Sequence, residues 1–116
     1  MKVVKKEWGE EIWLSLTDKY CFKIIKINQG CRCSLQYHEK KSETNYIHEG
    51  QALVTMQREG TDVLYQQELG PGSVIDIPCG RIHRFYAIED LTMFEVSTPE
   101  VEDVIRVEDD YGRDKK

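Results

Sequence analysis

The strongest constraint on this chain is a spaced set of polar and turn residues: Gln36 and His38 two apart, Glu43 five further on, then Gly72, Pro78, Gly80 and His83. Residues two apart on a β-strand point to the same side, so Gln36 and His38 share a face opposite Leu35 and Tyr37. A turn through Glu39-Lys40-Lys41-Ser42 then carries Glu43 back toward them. Gly72 to Gly80 reads as a buried strand closed by a Pro/Gly turn, and His83 opens the strand that follows. The expectation is a four-ligand metal site, Gln36, His38, Glu43 and His83, split over two strand-turn segments. Two oxygen donors, two imidazoles and no thiolate suit a divalent ion: zinc as the first expectation, with manganese, iron, cobalt and nickel equally compatible with the ligand types. The competing interpretation of these four side chains is a satisfied polar cluster that holds no metal.

Short apolar runs separated by Gly, Pro, Asn and Asp recur along the chain, and no segment keeps a helical apolar period over three turns. The fold class expected is therefore all-β. Strands are expected at 12–16, 21–27, 33–37, 43–48, 52–58, 63–68, 74–77, 84–88 and 92–97, with a hairpin loop at 58–62. Strands at this spacing suit a sandwich or a closed barrel. At 116 residues the expectation is one domain over 1–116, with a segment from 99 onward that is acidic before a basic end and either frays or packs on the rest. Lys and Arg number 16 against 21 Asp and Glu, a net charge of −5 that argues against nucleic acid as a partner. No apolar run reaches membrane-spanning length, and Met-Lys-Val-Val-Lys-Lys-Glu is no signal peptide, so no membrane partner and a cytoplasmic protein are expected. Cys21, Cys31, Cys33 and Cys79 lack Cys-x-x-Cys pairing and read as free thiols, Cys79 being the one beside the ligand loop.

Gly30, Gln36, His38, Glu43 and Gly50, followed by Gly72, Pro78, Gly80 and His83, resemble the two signature motifs of the cupin superfamily. The resemblance implies a double-stranded β-helix, a jelly-roll barrel with a metal inside. Gln36 stands where the first His usually does, as in phosphomannose isomerases, and Ala87 replaces an Asn that often closes the second motif. Ser34-Leu35-Gln36-Tyr37-His38, Trp8-Gly9 after Glu7 and the tail from Val104 to Arg113 look like the C-terminal cupin domain of bifunctional mannose-6-phosphate isomerase/mannose-1-phosphate guanylyltransferases. That likeness covers 7–113 and implies the isomerase half alone: interconversion of mannose 6-phosphate and fructose 6-phosphate through an enediol. It also implies a sugar phosphate as small-molecule partner and, as is common among cupins, a homodimer, with the strand around 11–16 pairing across a two-fold axis. Glu39, Lys40, Lys41 and Thr44 depart from that pattern, where further His and an Arg are usual.

Phosphate needs cations, and Lys41, Arg81, Arg84 and Arg106 are candidates, Arg106 favoured because it matches the tail motif. Glu95, a carboxylate in the apolar run Phe94-Glu95-Val96, either faces a pocket as a general base or faces outward as an ordinary surface charge. Asp109 and Asp110 are adjacent and so diverge, which makes them a poor acid/base pair. Tyr37, Tyr46 and Phe85 read as core aromatics or as stacking platforms for a sugar. Two other functions compatible with the motif are a non-catalytic sugar- or metal-binding cupin and a cupin oxidoreductase such as a dioxygenase.

Overall fold

The structure is a computed structural model and describes residues 1–113; the last part of the tail, 114–116, lies outside the described residues. Its strands are β1 (Lys2–Lys6), β2 (Gly9–Leu16), β3 (Cys21–Ile27), β4 (Leu35–Tyr37), β5 (Glu43–Glu49), β6 (Ala52–Gln57), β7 (Leu64–Leu69), β8 (Val74–Ile77), β9 (His83–Ala87), β10 (Leu91–Ser97) and β11 (Ile105–Glu108). Six of them form a sheet in the order β1-β2-β3-β10-β5-β8, and five a sheet in the order β11-β4-β9-β6-β7. Every pairing is antiparallel. This is the jelly-roll arrangement the motif implied.

Strand alternation decides what lies between the sheets. In β3 the inward positions are Cys21, Lys23, Ile25 and Ile27, and in β10 they are Leu91, Met93, Glu95 and Ser97. Register sets Ile27 against Leu91, Ile25 against Met93 and Lys23 against Glu95. The same line continues into β5, where Met93 faces Ile47 and Glu95 faces Asn45. The interior is therefore apolar at one end, built from Ile25, Ile27, Ile47, Val54, Ile75, Phe85, Leu91 and Met93, and polar at the other. Burying the apolar end stabilises the fold, and the polar end must satisfy its own groups.

Two strands lie outside the runs expected from the sequence. Lys2–Lys6 is short and lysine-rich, the composition that protects a sheet edge from pairing further, and it is the edge of the larger sheet. It pairs with residues 9–13 of β2, whose other side pairs with β3, so the strand around 11–16 lies inside the sheet over its first part. Ile105–Glu108 sits within the acidic tail and is held there by pairing with β4. The tail is tied to the barrel through Asp110, which accepts from Arg32 at 2.7 Å, while Asp109 closes the tail's own turn by accepting from Arg113 at 2.8 Å. Asp109 and Asp110 are thus structural clips pointing to different partners.

The outer face of the larger sheet carries an apolar row in register across all six strands: Val3, Ile12, Ile24, Phe94, Tyr46 and Val74. Among the described residues no helix is long and apolar enough to cross a membrane.

Gly50, at the β5–β6 turn, has φ +92°, and a Cβ there would lie 2.1 Å from the Asp90 carbonyl oxygen. Both the left-handed backbone and the backbone contact require glycine. Gly50→Ala should destabilise the protein by at least about 2 kcal/mol, read as a lowered urea midpoint with an unchanged m-value.

Candidate metal centre

The cross-strand row Arg106–Gln36–His83–Met56 runs over four strands of the smaller sheet, so these side chains share its inner face. Opposite stands Glu43, the first residue of β5, with Glu95 two strand positions from the apolar core. The ligand atoms of His38, Glu43 and His83 lie within 4.8 Å of one another, and all three residues are buried. His83 and Glu43 are each oriented by a second contact. His83 Nδ1 lies 2.9 Å from the Arg81 carbonyl oxygen, which can only accept, so this nitrogen carries the proton and Nε2 keeps a free lone pair. Glu43 Oε2 accepts from Asn45 Nδ2 at 2.8 Å, leaving Oε1 toward His38 Nδ1 at 3.6 Å. The His38 Nδ1 is buried without a hydrogen-bond partner, an orphan that a bound cation would satisfy. Gln36 lies beside them, but its Oε1 already accepts from the Ser34 hydroxyl at 2.6 Å. It retains one lone pair for a metal and is less free than the other three.

The loop carrying His38 and Lys41 is held from outside the barrel. Asp103 accepts from the backbone N–H groups of Glu39, Lys40 and Lys41 at 2.6–3.2 Å, which keeps its carboxyl pKa below the ordinary value. From the other side the Gly80 N–H donates to the His38 carbonyl at 2.6 Å, linking the Pro78–Gly80 turn of the second motif to the first. That turn needs φ +81° at Gly80.

Lys41 is buried rather than part of an exposed turn. Its Nζ lies 3.1 Å from Glu95 Oε2 and 3.7 Å from Glu43 Oε1. Burial alone would pull its pKa down, but the two carboxylates outweigh burial and the net shift is upward, so the ammonium persists. One ammonium cannot neutralise two buried carboxylates. Burial, reinforced by the Glu43 charge, raises the Glu95 pKa against the opposing pull of Lys41. Glu95 thus faces inward, the pocket alternative of the two open from sequence.

A cavity of about 410 Å³ opens over this set and is lined by Gln36, His38, Lys41, Glu43, Glu95 and Arg106 among others. Of the four cations considered for a phosphate, Arg106 alone lines it without an ion pair among the described residues, and its Nε is buried and unpartnered. Arg84 is buried in the opposite direction, donating to the Cys33 and Glu108 carbonyls. Arg81 lies 3.9 Å from Glu59 in a separate groove beside the exposed Cys79. Cys33 lines the cavity, and burial lifts its thiol pKa to about 11, so it is no nucleophile. Phe85 belongs to the core cluster and Tyr46 to the outer face, and neither is a sugar platform in this cavity. Sequence inspection passed over Asn45, Ser34 and Asp103, and also Lys23, Trp13 and Glu11 on the cavity wall. The alternation of β3 and β5 carried the signal for Lys23 and Asn45, each two residues from an inward neighbour.

The sequence pattern of the Cupin family matches residues 19–106, and the chain belongs to that family. No curated protein matches the sequence. Among solved structures, KdgF from Halomonas sp. is 19% identical with a TM-score of 0.75, over 89% of this chain and 92% of that one. Oxalate decarboxylase from Lactobacillus farciminis is 21% identical with a TM-score of 0.77, over 91% of this chain and 33% of that one. The capsular polysaccharide assembling protein CapF from Staphylococcus aureus is 17% identical with a TM-score of 0.75, over 92% and 34%. This chain therefore spans about a third of the length of the last two, and these likenesses establish the shared fold.

Burial pulls the pKa values of His38 and His83 from 6.5 down to about 4, with the Lys41 charge contributing at both. A folded pKa below the unfolded value means the unfolded chain binds more protons between those limits, so stability is full above pH 6.5 and is lost as pH falls toward 4. Each ring should cost on the order of 3 kcal/mol across that window in metal-free protein, measured by urea unfolding at pH 7, 5.5 and 4. A pH-independent unfolding free energy there would contradict the buried, neutral state of both rings.

Proposed function

We propose that this cupin is a metal-dependent sugar-phosphate isomerase acting on mannose 6-phosphate or a close relative. The observation that carries the reading is the His38/Glu43/His83 ligand cluster, of which His38 and Glu43 line one cavity together with a buried carboxylate of raised pKa, Glu95. His38, Glu43 and His83, with Gln36 beside them, are the residues that would hold a divalent ion, zinc as first choice. Such an ion supplies polarisation of the substrate carbonyl and a seat for neighbouring hydroxyl oxygens. Glu95 moves the proton between the two carbons of the aldose-ketose pair, a role suited to a buried carboxylate whose pKa burial raises above the ordinary value. Lys41 positions Glu95 by the 3.1 Å contact and supplies the compensating charge. Arg106 engages the phosphate. A cytoplasmic location accompanies this reading, supported by four free cysteines.

His38→Ala should remove isomerase turnover of mannose 6-phosphate, beyond the roughly 10–100-fold typical of outer-shell changes, with metal content lost and circular dichroism preserved. Glu95→Gln should lower kcat by about 10²–10⁴ while KM changes little. Full turnover in either variant would remove the assignment.

A second reading, a cupin oxidoreductase, is favoured by the engagement of Gln36 with Ser34, which leaves two imidazoles and one carboxylate, the ligand set common to non-haem iron oxygenases. Oxygen consumption by Fe(II)-loaded protein without hexose-phosphate turnover would select it.

The homodimer is part of the proposal, with the outer row from Val3 to Val74 as its contact. A two-fold axis parallel to the strands between Ile24 and Phe94 sets that row against its own copy, Val3 on Val74, Ile12 on Tyr46 and Ile24 on Phe94. Light scattering after size exclusion should give twice the chain mass, and Phe94→Glu should give the monomer. A monomeric parent protein overturns the contact.

A further inference from the structure

The cavity contains cations that the proposed proton chemistry does not use. Lys2 and Lys6 on β1 and Lys23 on β3 line the same space as Arg106 on β11. This gathering opposes the chain's overall charge of −5. Among the described residues, neither Lys2, Lys6 nor Arg106 forms an ion pair. Of the carboxylates on this part of the wall, Glu102 is exposed and Glu11 is already engaged. Glu11 Oε1 accepts from Trp13 Nε1 at 2.9 Å and from Lys23 Nζ at 3.4 Å.

Lys23 is the informative member. Its side chain is 5% exposed, and its ammonium, with three donors, has one long hydrogen bond and the Trp13 ring at 4.1 Å. Lys2 Nζ converges on the same ring, 4.7 Å from its centroid. A buried ammonium held by an aromatic face and a single carboxylate is costly to bury unless something else uses the remaining donors. The Arg106 Nε, buried without a partner, poses the same question from the opposite sheet.

We propose that Lys23 and Lys2 over the Trp13 ring, completed by Arg106, form a phosphoryl-group subsite of this cavity. The two sheets approach the group from opposite sides, which suits a tetrahedral dianion that accepts several charge-assisted hydrogen bonds. Trp13 and Glu11 are positioning residues that fix where the Lys23 ammonium sits. This rests on the sugar-phosphate reading and deepens it by giving the substrate an orientation: phosphate toward β1 and β3, reacting carbons toward His38, Glu43 and His83.

The test is titration of the full chain with inorganic phosphate, following the indole N–H resonance of Trp13 by NMR, on protein as purified and after EDTA treatment. A saturable shift is expected that survives EDTA. Lys23→Gln should weaken phosphate binding about tenfold or more, the loss of one charged hydrogen-bonding group. Lys2→Gln, at an exposed position where folding is not at risk, should weaken it by roughly threefold, a fraction of a tenfold step. A resonance that does not move, equal affinity in both lysine variants, or binding abolished by EDTA would each overturn the subsite. Turnover is not read in this experiment, so the two proposals fail separately. Phosphate binding without isomerase activity removes the isomerase and leaves the subsite, and turnover without lysine-dependent phosphate binding does the reverse.

Discussion

The polar end of this barrel depends on one charge arrangement, the Lys41 ammonium set between Glu43 and Glu95. Two carboxylates buried side by side repel each other and lose their hydration, and neither would stay ionised unaided. Lys41 offsets part of that cost, but burial and then the Glu43 charge still raise the Glu95 pKa. The neutral state of the two imidazoles follows from the same burial. A divalent cation entering here would meet lone pairs already oriented and a negative charge only partly compensated. Preorganisation of this kind is what lets a small all-β scaffold host chemistry.

That arrangement is held by connections between distant parts of the chain. Asp103, just before β11, captures the backbone of the loop at 39–41, and Gly80 captures the carbonyl of His38. Arg84, pointing away from the cavity, clips the end of β11 through the Glu108 carbonyl. The tail is therefore a structural part of the site: it carries Arg106 into register with Gln36 and fastens the loop that presents His38 and Lys41.

Much of the fold and the candidate ligand cluster were legible in the residues themselves. His38, Glu43 and His83 sit beside glycines and a proline whose backbone demands are local, so their pattern survives without knowledge of the fold. The strands 21–27 and 92–97 could be drawn because β-branched and aromatic residues are concentrated there. β1 and β11 were hidden, since each is short, offers only two apolar residues among its charges and is held by the neighbour that pairs with it. The burial of Lys41 was equally hidden: nothing in Glu39-Lys40-Lys41-Ser42 marks one lysine for burial and the next for solvent.

Local chemistry thus marked the candidate ligand cluster, its strand-and-turn setting and the all-β class, because side-chain period and turn glycines act over a few residues. Long-range packing settled which charges meet. The pairing of Lys41 with Glu95, 54 residues away, and the placing of Lys23, Trp13 and Arg106 around one cavity come from sheet register and closure of the barrel. Charges that interact through space after the backbone has folded leave no spacing along the chain from which to infer them.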